Sequence, residues 1–242
     1  ALYLAFIFHL AGYCLRWYIG GRIPLSNGYE TMQFMALCIL LIACLLHRRF
    51  SFILPFGFLL SGFALLVSYL GQQKKFPLLQ NISYLGQMNP QITPLMPVLV
   101  SPWLSIHVSL IMMSYALLAF IMLNGILALC LRKKESENNV SGNDAVQDNR
   151  IEQLTLVSRL LLYPATFFLG AGIFLGAVWA NVSWGRYWAW DPKEVWALIT
   201  FLVYGVAFHS QSLRIFRKPL FFHIYMILAF LTVLMTYFGV NY

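Results

Sequence analysis

Charged residues are scarce in this sequence: only 10% of its 242 residues are Asp, Glu, Lys or Arg. A soluble domain carries about 25% charged residues. Acidic residues are the scarcer kind, eight against sixteen basic ones, and 60% of the chain is hydrophobic. This balance excludes an ordinary soluble fold. It predicts an all-α, polytopic integral membrane protein that forms one membrane domain over residues 1–242.

Cysteine is also scarce, and its spacing is uninformative for redox or metal chemistry. The four cysteines lie in or next to apolar runs, and no two of them form a Cys-x-x-Cys pair. The pattern therefore indicates neither a disulfide framework nor a metal knuckle. We interpret these residues as small packing residues of helices: Cys14, Cys38, Cys44 and Cys130.

Long apolar runs are abundant, and they predict about seven transmembrane helices. A helix needs roughly 20 apolar residues to cross a bilayer. No internal repeat relates the runs to one another. The predicted spans are, approximately, Leu2–Tyr18, Thr31–Leu46, Phe52–Leu70, Trp103–Leu131, Leu156–Ala180, Pro192–His209 and Leu220–Val240.

The distribution of Lys and Arg predicts the orientation. Ten of these cations follow the second, fourth and sixth spans, and six lie on the opposite side, so the side with ten is expected to be cytoplasmic. The amino terminus is then inside, and the loop after the fifth span is outside. The net charge of +8 thus reflects topology and does not predict nucleic-acid binding. The ten are Arg48, Arg49, Arg132, Lys133, Lys134, Arg150, Arg159, Arg214, Arg217 and Lys218; the six are Arg16, Arg22, Lys74, Lys75, Arg186 and Lys193.

Two long loops differ in composition. Residues 132–155 are polar and rich in Asn and acids, a composition that cannot support a packed core, and we predict a flexible cytoplasmic linker there. Residues 71–102 combine five prolines with many apolar side chains. We expect that segment to fold onto the outer surface of the protein.

The stretch Trp184–Glu194, on the predicted outer side, is unlike either a spanning helix or a linker. Asp191 suits an N-cap, Pro192 suits the first helical position, and Glu194 stands where a capping box requires it, so a helix is predicted to begin here. Four aromatic residues come before this cap, and on a helical turn they would form a broad, flat aromatic surface. They are Trp184, Tyr187, Trp188 and Trp190.

Two cations, Arg186 and Lys193, flank these aromatic residues. Aromatic planes edged by cations suit a flat apolar ligand that bears anionic groups. The alternative interpretation is a generic belt of aromatic residues at the membrane interface.

Two of the five histidines are candidate ligands, because an ionisable residue at membrane depth is a functional hypothesis. His107 lies about one turn into the fourth span, near the level of the aromatic stretch. His209 follows Pro192 by 17 residues. That separation is about 26 Å along a helix, which puts His209 towards the inner leaflet. We interpret the others, His9, His47 and His223, as structural.

A haem would account for this combination of residues. Haem iron binds axial imidazoles, the macrocycle packs on aromatic rings, and the propionates pair with cations. Two alternatives stay open: a membrane b-type cytochrome, which would need paired histidines at matched depth, and a scaffold subunit that binds no haem.

The run Trp184–Trp196 resembles the WWD signature of cytochrome c assembly proteins of the CcsA/ResC type. The resemblance implies a haem-handling membrane protein that exports haem b and attaches it covalently to a CxxCH apocytochrome c, as in the system II cytochrome c synthase. It also implies that the WWD loop cradles haem. Further matches are Pro24–Glu30, Ser101–His107, Ser114 with Tyr115, the run from Ala197 to His209, and Thr236–Asn241.

The resemblance assigns roles to both candidate ligands. It implies that His107 is an external ligand of the haem iron and that His209 is a membrane-embedded ligand met on the way through. The family's second external histidine would follow Tyr242. A haem exporter that supplies a separate chaperone is the alternative activity.

Partners and location also follow from the resemblance. It implies a CcsB/ResB-like membrane subunit, separate or fused at the amino terminus, that supplies another histidine. The sequence lacks an initiator Met and a signal-peptide pattern, so we expect the C-terminal part of such a fusion. The expected location is the bacterial inner membrane, with the WWD loop facing the periplasm, in preference to a thylakoid membrane.

Overall fold

The computed structural model describes residues 1–50, 52–70, 89–95, 97–137, 144–209 and 212–240, and over these ranges it contains helices and no strand. The predicted all-α class is therefore confirmed. Short 3₁₀ turns cover Pro97–Leu99, Ala207–His209 and Arg214–Arg217, and a π-helical turn covers Met235–Gly239. The α-helices are α1 (Leu2–Gly20), α2 (Gly28–Leu46), α3 (Ile53–Leu70), α4 (Pro102–Glu137), α5 (Asp144–Trp184), α6 (Pro192–Val206) and α7 (Pro219–Leu234).

Six helical segments of the described residues are long and apolar enough to cross a membrane: helices α1 to α5, and α7 together with the π-helical turn that follows it. The protein is thus an integral membrane protein. The remaining predicted span, Pro192–His209, is shorter than expected, because α6 has 15 residues and ends at Val206. Gly205 and the β-branched Val206 are poor helix formers, which favours the end of the α-helix at this point. His209 instead lies on the 3₁₀ turn that follows.

The segment predicted as a linker, 132–155, is largely helical. Helix α4 continues to Glu137, and α5 begins at Asp144. The predicted linker is therefore too long at both ends. Lys, Arg, Gln and Glu are good helix formers, so polar residues at the end of a span can continue its helix. Residues 138–143 lie outside the described residues, and the flexibility of this segment stays a prediction.

Helices α4 and α5 form the central pair of the bundle. Small residues of α5 allow the close approach: a side chain at Gly172 would come within 2.7 Å of Ile111 on α4. The Ser114 hydroxyl of α4 also donates to the Ala165 carbonyl of α5 at 2.8 Å. Small residues and interhelical hydrogen bonds are the usual means of packing helices in membranes. Both helices contribute residues to the wall of a cavity at one end of the bundle.

We call the end of the bundle where α5 stops and α6 starts the loop end, and the opposite end the far end. At the loop end, Glu30 of α2 is buried, with 1% of its surface exposed. Its carboxylate accepts hydrogen bonds from Arg16 at 2.9 Å and Arg22 at 3.3 Å, and from the backbone and hydroxyl of Ser26. Glu30 also takes part in the N-cap of α2, because its backbone amide donates to the side-chain oxygen Oδ1 of the N-cap residue Asn27.

Both arginines also hold part of the predicted outer loop. Arg16 donates to the carbonyl of Pro90 at 2.8 Å, and Arg22 donates to that of Thr93 at 3.2 Å. Residues 89–95 therefore contact the first loop of the chain. Residues 71–88, the rest of the expected outer surface segment that precedes them, lie outside the described residues.

Neutral polar contacts join the helices at the far end. The Thr155 hydroxyl of α5 donates to the Ile151 carbonyl at 2.8 Å, so its oxygen accepts from His223 Nε2 of α7 at 2.9 Å. One turn along α5, Ser158 accepts from the Asn124 amide of α4 at 3.1 Å. His223 is almost fully buried in this contact.

The other two histidines interpreted as structural also contact backbone groups. His9 Nε2 lies 2.8 Å from the Gln33 carbonyl, and His47 Nδ1 lies 3.0 Å from that of Cys44. All four cysteines are free.

Candidate functional site

A cavity of about 780 Å³ opens at the loop end of the bundle. Its volume falls in the range of roughly 300–1,000 Å³ typical of small-molecule and cofactor sites. Helices α2, α4, α5 and α6, the π-helical turn and the loop 185–191 all contribute to its wall. Among the lining residues are seven of the nine residues predicted from the sequence: His107, Trp184, Arg186, Tyr187, Trp188, Asp191 and Lys193.

His107 is held in one orientation in this wall. Its Nδ1 lies 2.6 Å from the Gly172 carbonyl of α5. Because a carbonyl only accepts, Nδ1 carries the proton and Nε2 keeps its lone pair. Within the described part of the chain, no hydrogen-bond partner is found for Nε2. Space for the ring depends on Gly176, where a Cβ would lie 2.7 Å from His107 Cε1.

The loop 185–191, which lines the same cavity as His107, is held by the predicted capping box. Helix α6 begins at Pro192, as expected, with Asp191 as its N-cap. The Asp191 carboxylate accepts from the Lys193 amide at 2.8 Å. Glu194 Oε2 accepts from the amides of Asp191, at 3.2 Å, and Ala189, at 2.8 Å. Two carboxylates are thus used to fix the backbone of the loop.

The expectation of a flat aromatic surface is wrong. Trp184 is the last residue of α5, and the helix stops because Gly185 adopts a left-handed conformation with φ of 72°. A glycine in this conformation is a common helix terminator. Tyr187, Trp188 and Trp190 follow in an irregular loop, and the rings of the two tryptophans are 6.0 Å apart at 87° to each other.

The structure also separates Trp190 from the other aromatic residues. Trp184, Tyr187 and Trp188 line the cavity. Trp190 does not line the cavity. Exposure alone does not separate it, because Trp184 and Tyr187 are 62% and 60% exposed and Trp190 is 73% exposed. Its φ of 58° lies in the left-handed region. That conformation costs a residue with a Cβ roughly 1–2 kcal/mol. The chain therefore turns at Trp190 in a way that sequence spacing does not indicate.

The cavity has two available cations. The acids beside it, Asp191 and Glu194, accept hydrogen bonds from backbone amides, as described above. Over the described ranges, the ion pairs join Glu30 to Arg16 and to Arg22. Arg186 and Lys193 therefore form no ion pair within these ranges. Cations without a protein partner at the rim of a partly apolar cavity favour an anionic ligand.

His209 does not come near this site. It is exposed on the 3₁₀ turn beyond α6, at the far end of the bundle, and it is absent from the cavity wall. The two predicted ligands thus belong to separate places in the fold, and their positions near opposite membrane faces stay a prediction.

The sequence of the chain matches a known family. A family model described as cytochrome c assembly protein covers residues 25–242. The chain belongs to this family. The match spans the cavity and both candidate histidines, and it confirms the predicted membership of a cytochrome c assembly family.

Individual relatives agree with this assignment. The chain is 35% identical to protein NrfI of Wolinella succinogenes over 240 residues, 99% of this chain and 24% of that protein. It is 36% identical to the cytochrome c biogenesis protein CcsA of Chlamydomonas reinhardtii over 231 residues, 94% of this chain and 60% of that protein. CcsA of Pyropia yezoensis is 31% identical over 269 residues, covering 94% of this chain and 78% of that protein.

The chain therefore spans about a quarter of NrfI and about three-fifths of the Chlamydomonas protein. These matches support a role in cytochrome c biogenesis.

Sequence reasoning missed a hydroxyl-bearing part of the cavity wall. The Thr31 hydroxyl of α2 lies 2.7 Å from the Tyr237 hydroxyl, which is 206 positions away and sits on the π-helical turn. Thr236, its neighbour, lies 3.1 Å from the Thr200 hydroxyl of α6. Single π-helical turns are frequent at functional sites. The signal in the sequence was the Thr236–Asn241 match, which carried no assigned role.

Proposed function

We propose that this chain is the haem-binding part of a system II cytochrome c synthase. It brings haem to the outer side of the membrane and holds it for covalent attachment to a CxxCH apocytochrome c. The observation that carries this proposal is the fixed orientation of His107 in a cavity edged by aromatic rings and by two cations that form no ion pair within the described ranges.

In this proposal His107 Nε2 is an axial ligand of the haem iron. A histidine that binds a metal usually donates its other ring N–H to a carbonyl or carboxylate, which fixes the tautomer and the ring plane. The bond from His107 Nδ1 to the Gly172 carbonyl, at 2.6 Å, meets that requirement. The imidazole is ready for iron without rotation or loss of a proton.

The other groups of the cavity match the remaining parts of haem. Trp184, Tyr187 and Trp188 offer aromatic contacts to the macrocycle. Arg186 and Lys193 pair with the propionates, because both cations lack an acidic partner over the described ranges. Asp191 acts through the backbone, since its carboxylate holds the start of α6 and with it Lys193.

His209 serves a second, inner position. Its exposed imidazole at the far end is accessible to haem that lies between this chain and a CcsB/ResB-like partner, or a fused N-terminal half, that supplies the opposing histidine. The location is the bacterial inner membrane, with the cavity open to the periplasm.

Covalent attachment needs little chemistry from the protein. Each cysteine thiol of CxxCH adds across a haem vinyl group: a C–S bond forms at one vinyl carbon and the thiol proton passes to the other. Atoms and electrons balance without an oxidant. The contribution of the chain is to hold both reactants in position, which can provide several kcal/mol of the barrier.

The cavity also suits an exporter that passes haem to a separate chaperone, because its mouth lies at the loop end. Binding of purified protein to a CxxCH peptide, compared with binding to a haem chaperone, distinguishes the two. A b-type cytochrome is disfavoured, since His107 and His209 do not line a common cavity.

The direct test replaces His107 with Ala and measures haem that co-purifies with the protein, together with cytochrome c maturation in cells. Loss of one axial ligand is expected to lower both by about tenfold or more. Added imidazole should restore haem binding by occupying the space of the missing ring. His47→Ala, outside the cavity, is the matched control. Undiminished haem and maturation in His107→Ala would refute the proposal.

A further inference from the structure

The loop carries two tryptophans two positions apart, and only one of them lines the cavity. Trp188 is half-buried in the cavity wall, whereas Trp190 is largely exposed outside it. Sequence composition does not distinguish them, since both are indoles in the same short loop. The backbone conformation determines which indole lines the cavity, because the chain turns at Trp190 through a left-handed conformation.

The side chain of Glu194 stabilises this turn. A single oxygen, Oε2, accepts from the amide of Ala189 at 2.8 Å and from that of Asp191 at 3.2 Å. These two N–H groups lie on either side of Trp190. The bond to Asp191 belongs to the capping box, but the bond to Ala189 reaches two residues beyond the cap into the loop. A capping role alone does not require this second bond.

We propose that Glu194 is a positioning residue that directs Trp188, and not Trp190, towards the bound haem. The Glu194 side chain extends from the first turn of α6, so its hydrogen bonds to the loop amides fix the loop relative to that helix. This inference rests on the proposed haem site for its functional meaning. The orientation of the two indoles, however, is a property of the protein without ligand.

The role of Glu194 depends on an acceptor atom and not on its charge. Because one oxygen accepts both bonds, the amide oxygen of Gln can replace it. Glu194→Gln should therefore keep the loop geometry, whereas Glu194→Ala should lose it. A charge effect on haem would instead make the two variants equally defective.

The first experiment measures the loop without reference to haem. Trp188→Cys and Trp190→Cys are introduced separately, and their rates of reaction with a membrane-impermeant maleimide are measured after subtraction of the labelling of the parent chain. Cysteine at 190 should react about tenfold faster than cysteine at 188, in line with local protection. Glu194→Ala should bring the two rates to within a few-fold, and Glu194→Gln should preserve the difference.

The second experiment measures the absorption spectrum and amount of co-purified haem in Glu194→Ala and Glu194→Gln. We expect a several-fold loss with a shifted Soret band in the Ala variant, and recovery in the Gln variant. Equal labelling rates of the cysteines at 188 and 190 in proteins that keep Glu194 would overturn the inference. An unchanged rate difference in Glu194→Ala would also overturn it. A preserved labelling pattern in a protein that binds no haem would instead refute the proposed function alone.

Discussion

The two ends of the bundle present their candidate ligands differently. At the loop end, His107 is packed against Gly176 and bonded to the Gly172 carbonyl, inside a cavity. At the far end, His209 is exposed on a 3₁₀ turn. The first imidazole has a defined tautomer and direction before any ligand arrives. The second imidazole is exposed, as the proposed position between this chain and a partner requires.

The buried polar contacts of the two ends also differ in strength. The loop end depends on a buried carboxylate, Glu30, shared by Arg16 and Arg22. The far end depends on hydrogen bonds outside the ion pairs found over the described ranges, such as Thr155 with His223 and the partly buried Arg159 with the Phe216 carbonyl. Loss of one member of a buried ion pair leaves an unpaired charge, whereas loss of a neutral contact leaves one unpaired polar group. The loop end should therefore be more sensitive to substitution.

Glu30→Ala should produce the largest effect. It leaves two arginines without their carboxylate and releases the segment that they hold at Pro90 and Thr93. We expect a loss of about 3 kcal/mol in the free energy of unfolding, at the low end for a buried pair because the arginine side chains retain some exposure. Thermal unfolding in detergent measures it, with the exposed acid Glu152→Ala as control. Equal stability of the two variants would contradict this view of the loop end.

Gly176→Ala tests the orientation of His107. The added Cβ would lie 2.7 Å from the imidazole carbon Cε1, so the ring must move. A displacement of about 1 Å at a site can reduce function by roughly a hundredfold. We expect co-purified haem to fall by about tenfold or more, with protein yield maintained. Gly62→Ala has open space around its Cβ and serves as control. Normal haem content in Gly176→Ala would argue against His107 as a pre-oriented ligand.

Trp188→Ala and Trp190→Ala compare the two tryptophans of the loop. Trp188 lines the cavity and Trp190 does not. An aromatic contact is worth about 0.5–1.5 kcal/mol beyond its buried area. Haem affinity, measured by titration, should therefore fall several-fold more in Trp188→Ala than in Trp190→Ala. The reverse order would show that the exposed indole is the one that contacts the ligand.

Thr155→Val should produce the smallest effect, and it tests the far end. Valine preserves the shape of Thr155 but removes the oxygen that accepts from His223 Nε2. Interhelical hydrogen bonds in membranes contribute about 0.6 kcal/mol on average, so we expect a loss of about 1 kcal/mol with haem content unchanged. If Thr155→Val destabilised the protein as much as Glu30→Ala, the two ends would not differ in their sensitivity to substitution.

Local sequence rules were sufficient where the determining contacts are local. The capping box of Asp191, Pro192 and Glu194 starts α6 where predicted, because its partners lie within four residues. Six of the seven apolar runs predicted as spans correspond to helical segments that are long enough to cross a membrane. Helix ends were predicted less well, as the positions of Val206, Glu137 and Asp144 show, because a fall in hydrophobicity does not require a helix to stop.

By itself, the sequence determined the all-α membrane class, the start of α6 and the candidates His107, Arg186 and Lys193. These follow from composition and from short-range backbone chemistry. Only the tertiary structure decided which ring nitrogen of His107 is free, that Trp188 and not Trp190 lines the cavity, and that Thr31 meets Tyr237. Each of these depends on atoms that packing brings together, such as the Gly172 carbonyl 65 positions from His107. Spacing along the chain carries no information about such contacts.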